Sequence, residues 1–363
     1  MTPPIRIGID ARELLGAATG VGRYLGELLT RWASRPDRAR RRFLLYAPEP
    51  LPIRLEPGAA ESRPAGRGRG TGWEQTHLRR AVSRDRPDVF FAPAYTAPLA
   101  IRVPLALTIH DISFAVHPEW FRWREGVRRR FVTRRSAARA GVIFTDSEFS
   151  RREIEEHLGV ASDRIQVIPP GVTPRLPSAP GPREPLVLFV GSLFNRRRLP
   201  DLIEGFARAT PDMPGSRLEI VGDDRTWPAQ DLPAAARRHG VEARTRFSQY
   251  LPDASLAALY GRASAFVFLS EYEGFGLTPL EALAAGVPPI VLDTPIAREV
   301  YRDAAHYVRC GDLAGTAEAI RAALVDPGFG APLVARAPAV LASYSWDRAA
   351  DLTLTAVERL ARR

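Results

Sequence analysis

The chain has no lysine among its 363 residues. All 51 basic residues are therefore arginine, and against 41 acidic residues they give a formal net charge of +10. A Walker A phosphate loop needs a lysine after its second glycine, so that class of nucleotide site is excluded. Because alanine, glycine and proline are also abundant, the arginine excess indicates a GC-rich coding bias, and we expect no nucleic-acid partner.

Cysteine and long apolar runs are also scarce. Cys310 is the one cysteine, which excludes a disulfide framework and a multi-cysteine metal site. No apolar run approaches the ~18–20 residues of a membrane span. The first residues lack the charged and apolar regions of a signal peptide. We therefore expect a cytoplasmic protein.

The chain does contain two series of apolar strands that alternate with helical patterns. Candidate strands lie at residues 5–10, 103–109, 141–145, 165–168, 186–190, 218–222 and 265–269. Strands that alternate with helices form parallel sheets. The two series therefore predict an α/β protein with two Rossmann-like, doubly wound domains, and the chain is long enough for two full cores.

Proline marks the boundary between the two series. Six prolines fall between Pro169 and Pro182, which predicts a stiff linker. We place the domains at residues 1–175 and 183–345, followed by a helix over residues 346–363. The stretch 48–71 is rich in proline, glycine and arginine and predicts loops and poorly ordered surface.

The most informative segment runs from residue 270 to residue 286. After the strand at 265–269 comes a glycine turn and then a strongly marked helix start. Thr278 is a good N-cap residue, Pro279 fits the first helical position, and Glu281 completes a capping box with Thr278. Gly286 is expected to end the helix.

A strand, a glycine turn and a helix N-terminus together predict an anion site. The free backbone N–H groups of the turn and the positive end of the helix dipole point at one place. Glu273 and Glu281 flank that place, and carboxylates accept hydrogen bonds from sugar hydroxyls. The pattern therefore suits a nucleotide sugar, with donor-binding residues Gly274, Phe275, Gly276, Leu277, Thr278 and Glu281.

The same segment resembles a known family. Glu-x7-Glu around Gly-Phe-Gly-Leu is similar to the signature of retaining glycosyltransferase family 4, with Ser-Glu-Tyr before it and Glu-Ala-Leu-Ala-Ala-Gly running on from its second glutamate. An isolated Glu-x7-Glu would more often be a capped helix and a solvated glutamate. The resemblance runs from Ile5 to the Ser345–Trp346 region. It implies a GT-B fold, in which two Rossmann-like domains face a central cleft and the last helix returns to the first domain.

The resemblance also implies roles for residues after the strand at 186–190. Residues 189–198 resemble the family element Val-Gly-x-x-x-x-Arg-Lys-Asn, which places Ser192 at the donor and Arg196 and Arg197 at its diphosphate. Arg197 stands where the family usually has lysine. An arginine triplet by itself is more often a solvated surface.

Two carboxylates and a histidine complete the implied donor site. Glu273 and His110 are expected to hold sugar hydroxyls, and Glu281 the ribose. His110 ends a strand, where open α/β sheets bind ligands, although a lone histidine is more often structural. With Arg196 and Arg197, Glu273 and His110 form the predicted catalytic set. The implied mechanism needs no protein nucleophile, no metal and no other cofactor.

Two further segments carry weaker predictions. Gly20 and Gly22 belong to a glycine loop that fails as a dinucleotide fingerprint, because Leu25 occupies the third glycine position. A plain tight turn is the alternative to the donor or acceptor contact that the resemblance implies. Tyr250 and Leu251 stand where relatives hold the nucleotide base, and an ordinary strand end is equally compatible.

Residues 120–139 predict a helix that contains eight arginines. Trp120, Trp123, Val127 and Phe131 fall on one helical face, which we expect to be packed. The arginine face suits either solvent or an anionic membrane, which makes peripheral membrane association a second possibility.

The function that the resemblance implies is transfer of a mannose-like hexose to a glycan or lipid-linked acceptor, in cell-envelope or exopolysaccharide synthesis. GDP-mannose is the favoured donor, with UDP- or dTDP-sugars as alternatives. Two other functions stay open: a nucleotide-sugar 2-epimerase of the same fold, and an arginine-rich nucleic-acid binder.

Overall fold

The computed structural model describes residues 3–16, 20–51, 60–174 and 182–362. The chain divides into two compact units. The first comprises residues 1–118, 123–171 and 345–363, and the second comprises residues 119–122 and 172–344. Each unit is built around one parallel β-sheet, and the two are described separately.

The sheet of the first unit has seven strands within the described residues, in the order β3-β2-β1-β4-β5-β6-β7, and all neighbours are parallel. Its strands are β1 (Ile5–Asp10), β2 (Arg41–Ala47), β3 (Ala60–Pro64), β4 (Val89–Ala92), β5 (Leu105–Thr108), β6 (Val142–Thr145) and β7 (Ile165–Val167). The central strands are buried along their whole length, as expected where helices cover both faces of a parallel sheet.

Helices of the first unit connect these strands. They are α1 (Gly20–Ala33), α2 (Gly70–Trp73), α3 (Arg79–Asp85), α4 (Ser113–Val116), α5 (Trp123–Arg139) and α6 (Glu148–Leu158), and a π-helical turn (Glu74–Leu78) joins α2 to α3. Their ends follow ordinary capping chemistry. The Ser147 side chain accepts from the Ser150 N–H at the start of α6, and Gly159 ends that helix in the left-handed conformation.

The second unit repeats the design. Its sheet has the order β10-β9-β8-β11-β12-β13 among the residues described, again with parallel neighbours. The strands are β8 (Glu184–Val190), β9 (Arg217–Val221), β10 (Thr245–Ser248), β11 (Ala263–Phe268), β12 (Pro289–Leu292) and β13 (His306–Val308). The helices are α7 (Leu199–Ala209), α8 (Leu232–Arg238), α9 (Asp253–Arg262), α10 (Leu277–Ala284), α11 (Pro295–Tyr301), α12 (Leu313–Val325) and α13 (Pro327–Leu341).

The last helix, α14 (Trp346–Ala361), belongs to the first unit. Its apolar face, including Trp346 and Val357, is buried in the core that α1 forms with the sheet. The Trp32 indole N–H donates to the Ala350 carbonyl at 2.9 Å, which ties α14 to α1. Residues more than 300 positions apart in sequence therefore share one core.

The predicted fold class is confirmed, since both units are doubly wound parallel sheets. In each, the strand order reverses beside the first strand of the unit, between β1 and β4 and between β8 and β11. Ligands of open α/β sheets bind outside the carboxyl ends of strands at such switch points.

Three local predictions for the first unit are wrong. Helix α1 begins at Gly20, so Gly20 and Gly22 lie in its first turn rather than in a loop, while Thr19 falls outside the described residues. Part of the stretch 48–71 forms the edge strand β3. Its pairing with β2 outweighs a composition rich in proline, glycine and arginine, which disfavours strands. The third concerns α5, whose predicted packed face is exposed.

On α5, the side chains of Trp123, Val127 and Phe131 are 75%, 39% and 55% exposed. Trp120 lies before the helix, in a short 3-10 turn. The helix packs instead through small residues, among them Gly126, Ser136 and Ala137, which allow close approach to the sheet. The apolar residues do share one helical face, but that face is exposed.

Candidate active site

The loop after β8 places two arginines at the carboxyl edge of the second sheet. Asn195–Arg197 forms a 3-10 turn, and the Arg197 side chain folds back so that Nη1 donates to the Ser192 carbonyl at 2.8 Å. Gly191 has φ +143°, and any side chain there would collide with the Arg197 guanidinium. The glycine is therefore required for this arginine to lie over the strand end.

Glu273 connects this loop to the one after β11. One oxygen of Glu273 accepts from Arg197 Nε at 2.9 Å and from Ser270 Oγ at 2.8 Å. Its other oxygen lies 3.8 Å from Arg196 Nη2. Burial alone would raise the pKa of Glu273, but the charges of Arg197 and Arg196 hold it below its ordinary value. Glu273 is therefore a carboxylate at neutral pH.

Arg196 is 7% exposed and lies over the Phe194 ring, with 4.4 Å from the guanidinium carbon to the ring centre. Within the part of the chain that the structure describes, its buried Nε has no hydrogen-bond partner. An unpaired donor on a buried cation is costly unless a ligand satisfies it. With Glu273 shared between two arginines, the cluster keeps one positive charge in excess.

Helix α10 starts beside this cluster, at Leu277 rather than after Thr278. Gly276 is the N-cap, with φ +89° and no side-chain cap bond, so the predicted capping box of Thr278 and Glu281 is wrong. The helix begins directly after the glycine turn, and therefore before Thr278, the polar residue that was predicted to cap it. Thr278 lies in the first turn and Glu281 in the second.

Glu281 is 2% exposed, and it accepts a hydrogen bond from the Tyr260 hydroxyl at 3.4 Å. Glu281 does not close a capping box, so N-terminal capping of α10 does not account for the burial of its carboxyl group. Its predicted contact with a ribose stays a prediction.

The remaining predicted donor residues lie on loops at the same edge of the second sheet. Gly274 and Phe275 are buried in the loop between β11 and α10. Tyr250 and Leu251 lie between β10 and α9, and the Tyr250 side chain is exposed. The structure thus brings Glu273 into contact with both arginines. The base-binding candidates follow β10, which lies two strands from β8 and three strands from β11 in the sheet.

His110 lies at the carboxyl edge of the first sheet, just after β5. Its Nδ1 is 2.8 Å from an Asp146 carboxylate oxygen, and its Nε2 is 3.0 Å from the Pro93 carbonyl. Both partners accept, so the two bonds form together only when the ring is the doubly protonated imidazolium. Burial would lower the pKa of His110, but the neighbouring Asp146 charge raises it above its ordinary value.

A second buried network at this edge was not predicted. Arg12 forms ion pairs with Asp10, at 2.6 Å, and with Glu74. Glu74 also accepts from the Thr96 hydroxyl at 2.6 Å. Burial raises the pKa of Asp10 to about 6. The position of Asp10 at the end of a strand could have indicated this site from the sequence. The pairing of Arg12 with Glu74, 62 positions away, could not.

Acidic residues elsewhere offer little for a metal at the arginine cluster. Asp224 accepts from the Thr226 N–H and hydroxyl at 2.9 and 2.8 Å, which makes a strand-end turn. Among the described residues, Glu153, Glu156 and His157 of α6 are the group close enough to share an ion, and they lie in the first unit.

Comparison with known proteins decides the family. Residues 18–176 match glycosyltransferase family 4, and residues 177–337 match the glycosyl transferases group 1. A glycogen synthase of Mycobacterium tuberculosis is 32% identical over 286 residues, which is 74% of this chain and 68% of the relative. The chain belongs to the group 1, family 4 glycosyltransferases. The predicted family and enzyme class are therefore confirmed.

Other relatives of this glycosyltransferase extend over its whole length. The O-antigen chain mannosyltransferase B of Escherichia coli is 26% identical, covering 94% of this chain and 96% of the relative. The solved structure of WaaG, a glycosyltransferase of lipopolysaccharide biosynthesis, matches with TM-score 0.76 and 17% identity, covering 97% and 99% of the two chains. Anabaena HepE, solved with UDP and glucose, matches with TM-score 0.73 and 18% identity, covering 98% and 100%. These structures show the GT-B fold.

Proposed function

We propose that this glycosyltransferase moves a mannose-like hexose, with retention at the anomeric carbon, from a nucleotide-diphosphate sugar to a glycan or lipid-linked acceptor. The observation that carries the proposal is the pair Arg196 and Arg197 beside the uncapped start of α10. Buried guanidinium groups and free helix N–H groups together suit a diphosphate.

The cluster can stabilise the charge that develops on the leaving group. As the bond between the anomeric carbon and the phosphate oxygen breaks, negative charge grows on the diphosphate. The Arg196 guanidinium and the N–H groups of residues 275–277 can receive that charge. Preorganised donors of this kind are most effective in a site that excludes water.

In the proposed reaction, the acceptor oxygen bonds to the anomeric carbon on the face that the diphosphate leaves. The acceptor proton passes to a phosphate oxygen of the departing nucleoside diphosphate, so the protein supplies neither nucleophile nor base. Glu273 is assigned to a sugar hydroxyl, because its carboxylate accepts hydrogen bonds and the arginines keep it ionised.

The other assignments follow the family resemblance. Glu281 is assigned to the ribose, Tyr250 and Leu251 to the base, and His110 to a sugar hydroxyl. Gly20 and Gly22, now in the first turn of α1, keep their assignment to the diphosphate or the acceptor. Both ring nitrogens of His110 already face protein acceptors, Asp146 and the Pro93 carbonyl, so contact with a sugar hydroxyl requires the ring to exchange or share one of these bonds.

The names of relatives favour mannose as the sugar. They include a GDP-mannose:cellobiosyl-diphosphopolyprenol α-mannosyltransferase of Komagataeibacter xylinus, 36% identical over 167 residues. HepE has been solved with UDP-glucose, which keeps UDP-sugars as the alternative. We propose GDP-mannose as the first donor to test, and a role in envelope or exopolysaccharide synthesis.

A thermal-shift screen of nucleotide sugars tests the donor. A ligand at ~100 times its dissociation constant stabilises a protein by about 2.7 kcal/mol. We expect GDP-mannose to raise the melting temperature of the wild type but not of Arg196→Ala. Arg237→Ala, which removes an exposed arginine of α8, should respond like the wild type. No shift with GDP-, UDP- or dTDP-sugars would contradict the proposal, and isomerised donor without acceptor would indicate an epimerase.

The reaction should also proceed in excess chelator, because arginines and backbone N–H groups supply the positive charge at the diphosphate. We propose transfer rates within a few-fold with and without divalent ions. Complete loss on chelation, restored by magnesium or manganese, would contradict a metal-independent reaction.

A lipid-linked acceptor would place the enzyme at a membrane surface, and we propose that residues 120–139 provide peripheral contact from the cytoplasmic side. None of the helices in the described ranges is long and apolar enough to cross a membrane. Helix α5 instead presents exposed Trp123, Val127 and Phe131 among arginines, which suits an anionic lipid surface.

A further inference from the structure

Tyr301, the last residue of α11, lies behind the loop that carries Glu273. Its side chain is 2% exposed, and its hydroxyl donates to the Gly276 carbonyl at 3.0 Å. No motif singled it out, because it follows the Glu-x7-Glu segment by some twenty residues and belongs to another helix.

Tyr301 and Gly276 fit one another sterically. Gly276 has φ +89°, in the left-handed region that favours glycine. A Cβ built on Gly276 would collide with the Tyr301 hydroxyl oxygen. The hydroxyl thus occupies the space that a side chain at 276 would need. Glycine has no side chain with which to cap the helix, and the Tyr301 hydroxyl, which belongs to another helix, holds the turn at this residue.

The bond from Tyr301 to the Gly276 carbonyl also fixes the direction of the next backbone N–H, because both groups belong to one peptide. The Gly276 carbonyl and the Leu277 N–H belong to one planar trans peptide and point in opposite directions. When Tyr301 holds the carbonyl, the Leu277 N–H is directed to the opposite side, away from α11. That N–H is the first of helix α10 and is one of those without a partner inside the helix.

The surroundings keep Tyr301 a donor. A small cavity is lined by the Tyr301 ring, Glu273, Ser270 and Phe275. Burial, and then the Glu273 charge, raise the pKa of Tyr301 well above its ordinary value. The phenol therefore stays protonated across the range in which enzymes are assayed.

We propose that Tyr301 is a positioning residue of the donor site: by holding the Gly276 carbonyl, it aims the Leu277 N–H at the donor diphosphate. The inference rests on the proposed function, because it assumes that a diphosphate binds at the start of α10. It adds a residue outside the family motif, and it predicts that α11 controls affinity for phosphate but not for the nucleoside.

The test compares two conservative variants. Tyr301→Phe removes the hydroxyl that holds Gly276. Tyr344→Phe removes another buried hydroxyl, which donates at 2.9 Å to the Val300 carbonyl of α11 rather than to the turn. Both delete one tyrosine-to-carbonyl hydrogen bond, so both should lower the melting temperature by a similar amount.

Binding of GDP, UDP, guanosine and uridine is then measured by calorimetry. We expect Tyr301→Phe to bind the preferred nucleoside diphosphate about tenfold more weakly, which corresponds to about 1.4 kcal/mol. Affinity for the matching nucleoside should not change, and Tyr344→Phe should bind both like the wild type. In steady state, Tyr301→Phe should lower kcat and leave the acceptor KM unchanged.

Two outcomes would overturn the inference and are distinguishable from a failure of the proposed function. Equal diphosphate affinity in Tyr301→Phe and Tyr344→Phe, with a wild type that binds, would show that the hydroxyl is merely structural. A parallel loss of nucleoside affinity would show general loosening of the unit. A wild type that binds no nucleoside diphosphate would instead refute the proposed function, and this inference with it.

Discussion

Single residues show how arginine serves at a position where the family resemblance implies lysine. Arg197 donates through Nε to Glu273 and through Nη1 to the Ser192 carbonyl at once. The planar guanidinium fork allows both bonds in fixed directions, whereas an ammonium is a point charge on a flexible stem. If Arg197 meets the proposed diphosphate, it does so as a preorganised group rather than as a mobile point charge.

His110 predicts a pH dependence of stability. Its pKa is raised in the folded state by Asp146, so the stabilisation is fully present below the ordinary pKa of ~6.5 and is lost as pH rises through the raised value. Asp111, Tyr24 and Tyr95 also face the ring. Asp146→Asn should therefore cost most stability near pH 6 and progressively less toward pH 9, as measured by melting temperature.

The matched control is Glu153→Gln. Glu153 also faces a histidine, His157, at 3.9 Å, but on the surface of α6. Its effect on melting temperature should be small and nearly independent of pH, because exposed pairs contribute ~0–1 kcal/mol. An Asp146→Asn deficit that grows with rising pH would contradict the imidazolium assignment.

Glu281→Gln tests whether the buried second glutamate of the motif binds ligand. Glutamine is nearly isosteric, and its carbonyl oxygen can still accept from the Tyr260 hydroxyl. We expect little change in melting temperature, with several-fold weaker binding of the nucleoside diphosphate by calorimetry. Unchanged affinity would leave Glu281 a structural role alone.

At the level of helices and strands, the sequence predicts what is locally determined. Strands β8 and β11 are apolar runs bounded by glycine or polar residues, and both were located within two residues. The start of α10 was misplaced, because Tyr301, 25 positions away, holds the glycine turn. The exposed face of α5 was misjudged for a similar reason, since periodicity does not reveal which face meets the sheet.

Arginine also ends helices in this protein. Arg183 Nη1 donates to the carbonyls of Tyr260, at 2.7 Å, and Ala263, at 3.0 Å, where α9 ends. Its Nη2 donates to the Ala285 carbonyl at 2.6 Å, where α10 ends. One side chain thus satisfies carbonyls at both helix ends, which sequence patterns do not show.

Arg183→Lys should therefore destabilise the second unit, because one ammonium cannot reach both helix ends. Hydrogen bonds from a charged group are worth about 1.5–3 kcal/mol, so we expect a loss of about 1–3 kcal/mol in the free energy of unfolding by urea. Arg309→Lys, at a site that is 87% exposed, is the control and should change little. Equal effects of the two substitutions would contradict the capping role.

At the scale of the whole molecule, charge and apolar exposure converge on α5. The chain carries a net charge of +10, and residues 120–139 hold eight arginines. Only part of this charge is neutralised locally, as in the Arg129–Glu125 pair at 2.7 Å. Each basic residue near an anionic membrane surface contributes about 1 kcal/mol, and apolar side chains add insertion into the interface.

We therefore expect the enzyme to sediment with anionic vesicles and not with neutral ones, and to release as salt shortens the range of the attraction. Trp123→Ser with Phe131→Ser should weaken binding, because the apolar insertion is lost while the arginines remain, and the melting temperature should stay near that of the wild type, because both side chains are exposed. Val325→Ser, which removes an apolar side chain that is 55% exposed on α12, is the control and should bind like the wild type. Equal, negligible sedimentation with both vesicle types would favour an acceptor that is not membrane-bound. Unaltered binding of the double variant would contradict insertion of α5 and leave charge as the sole source of the attraction.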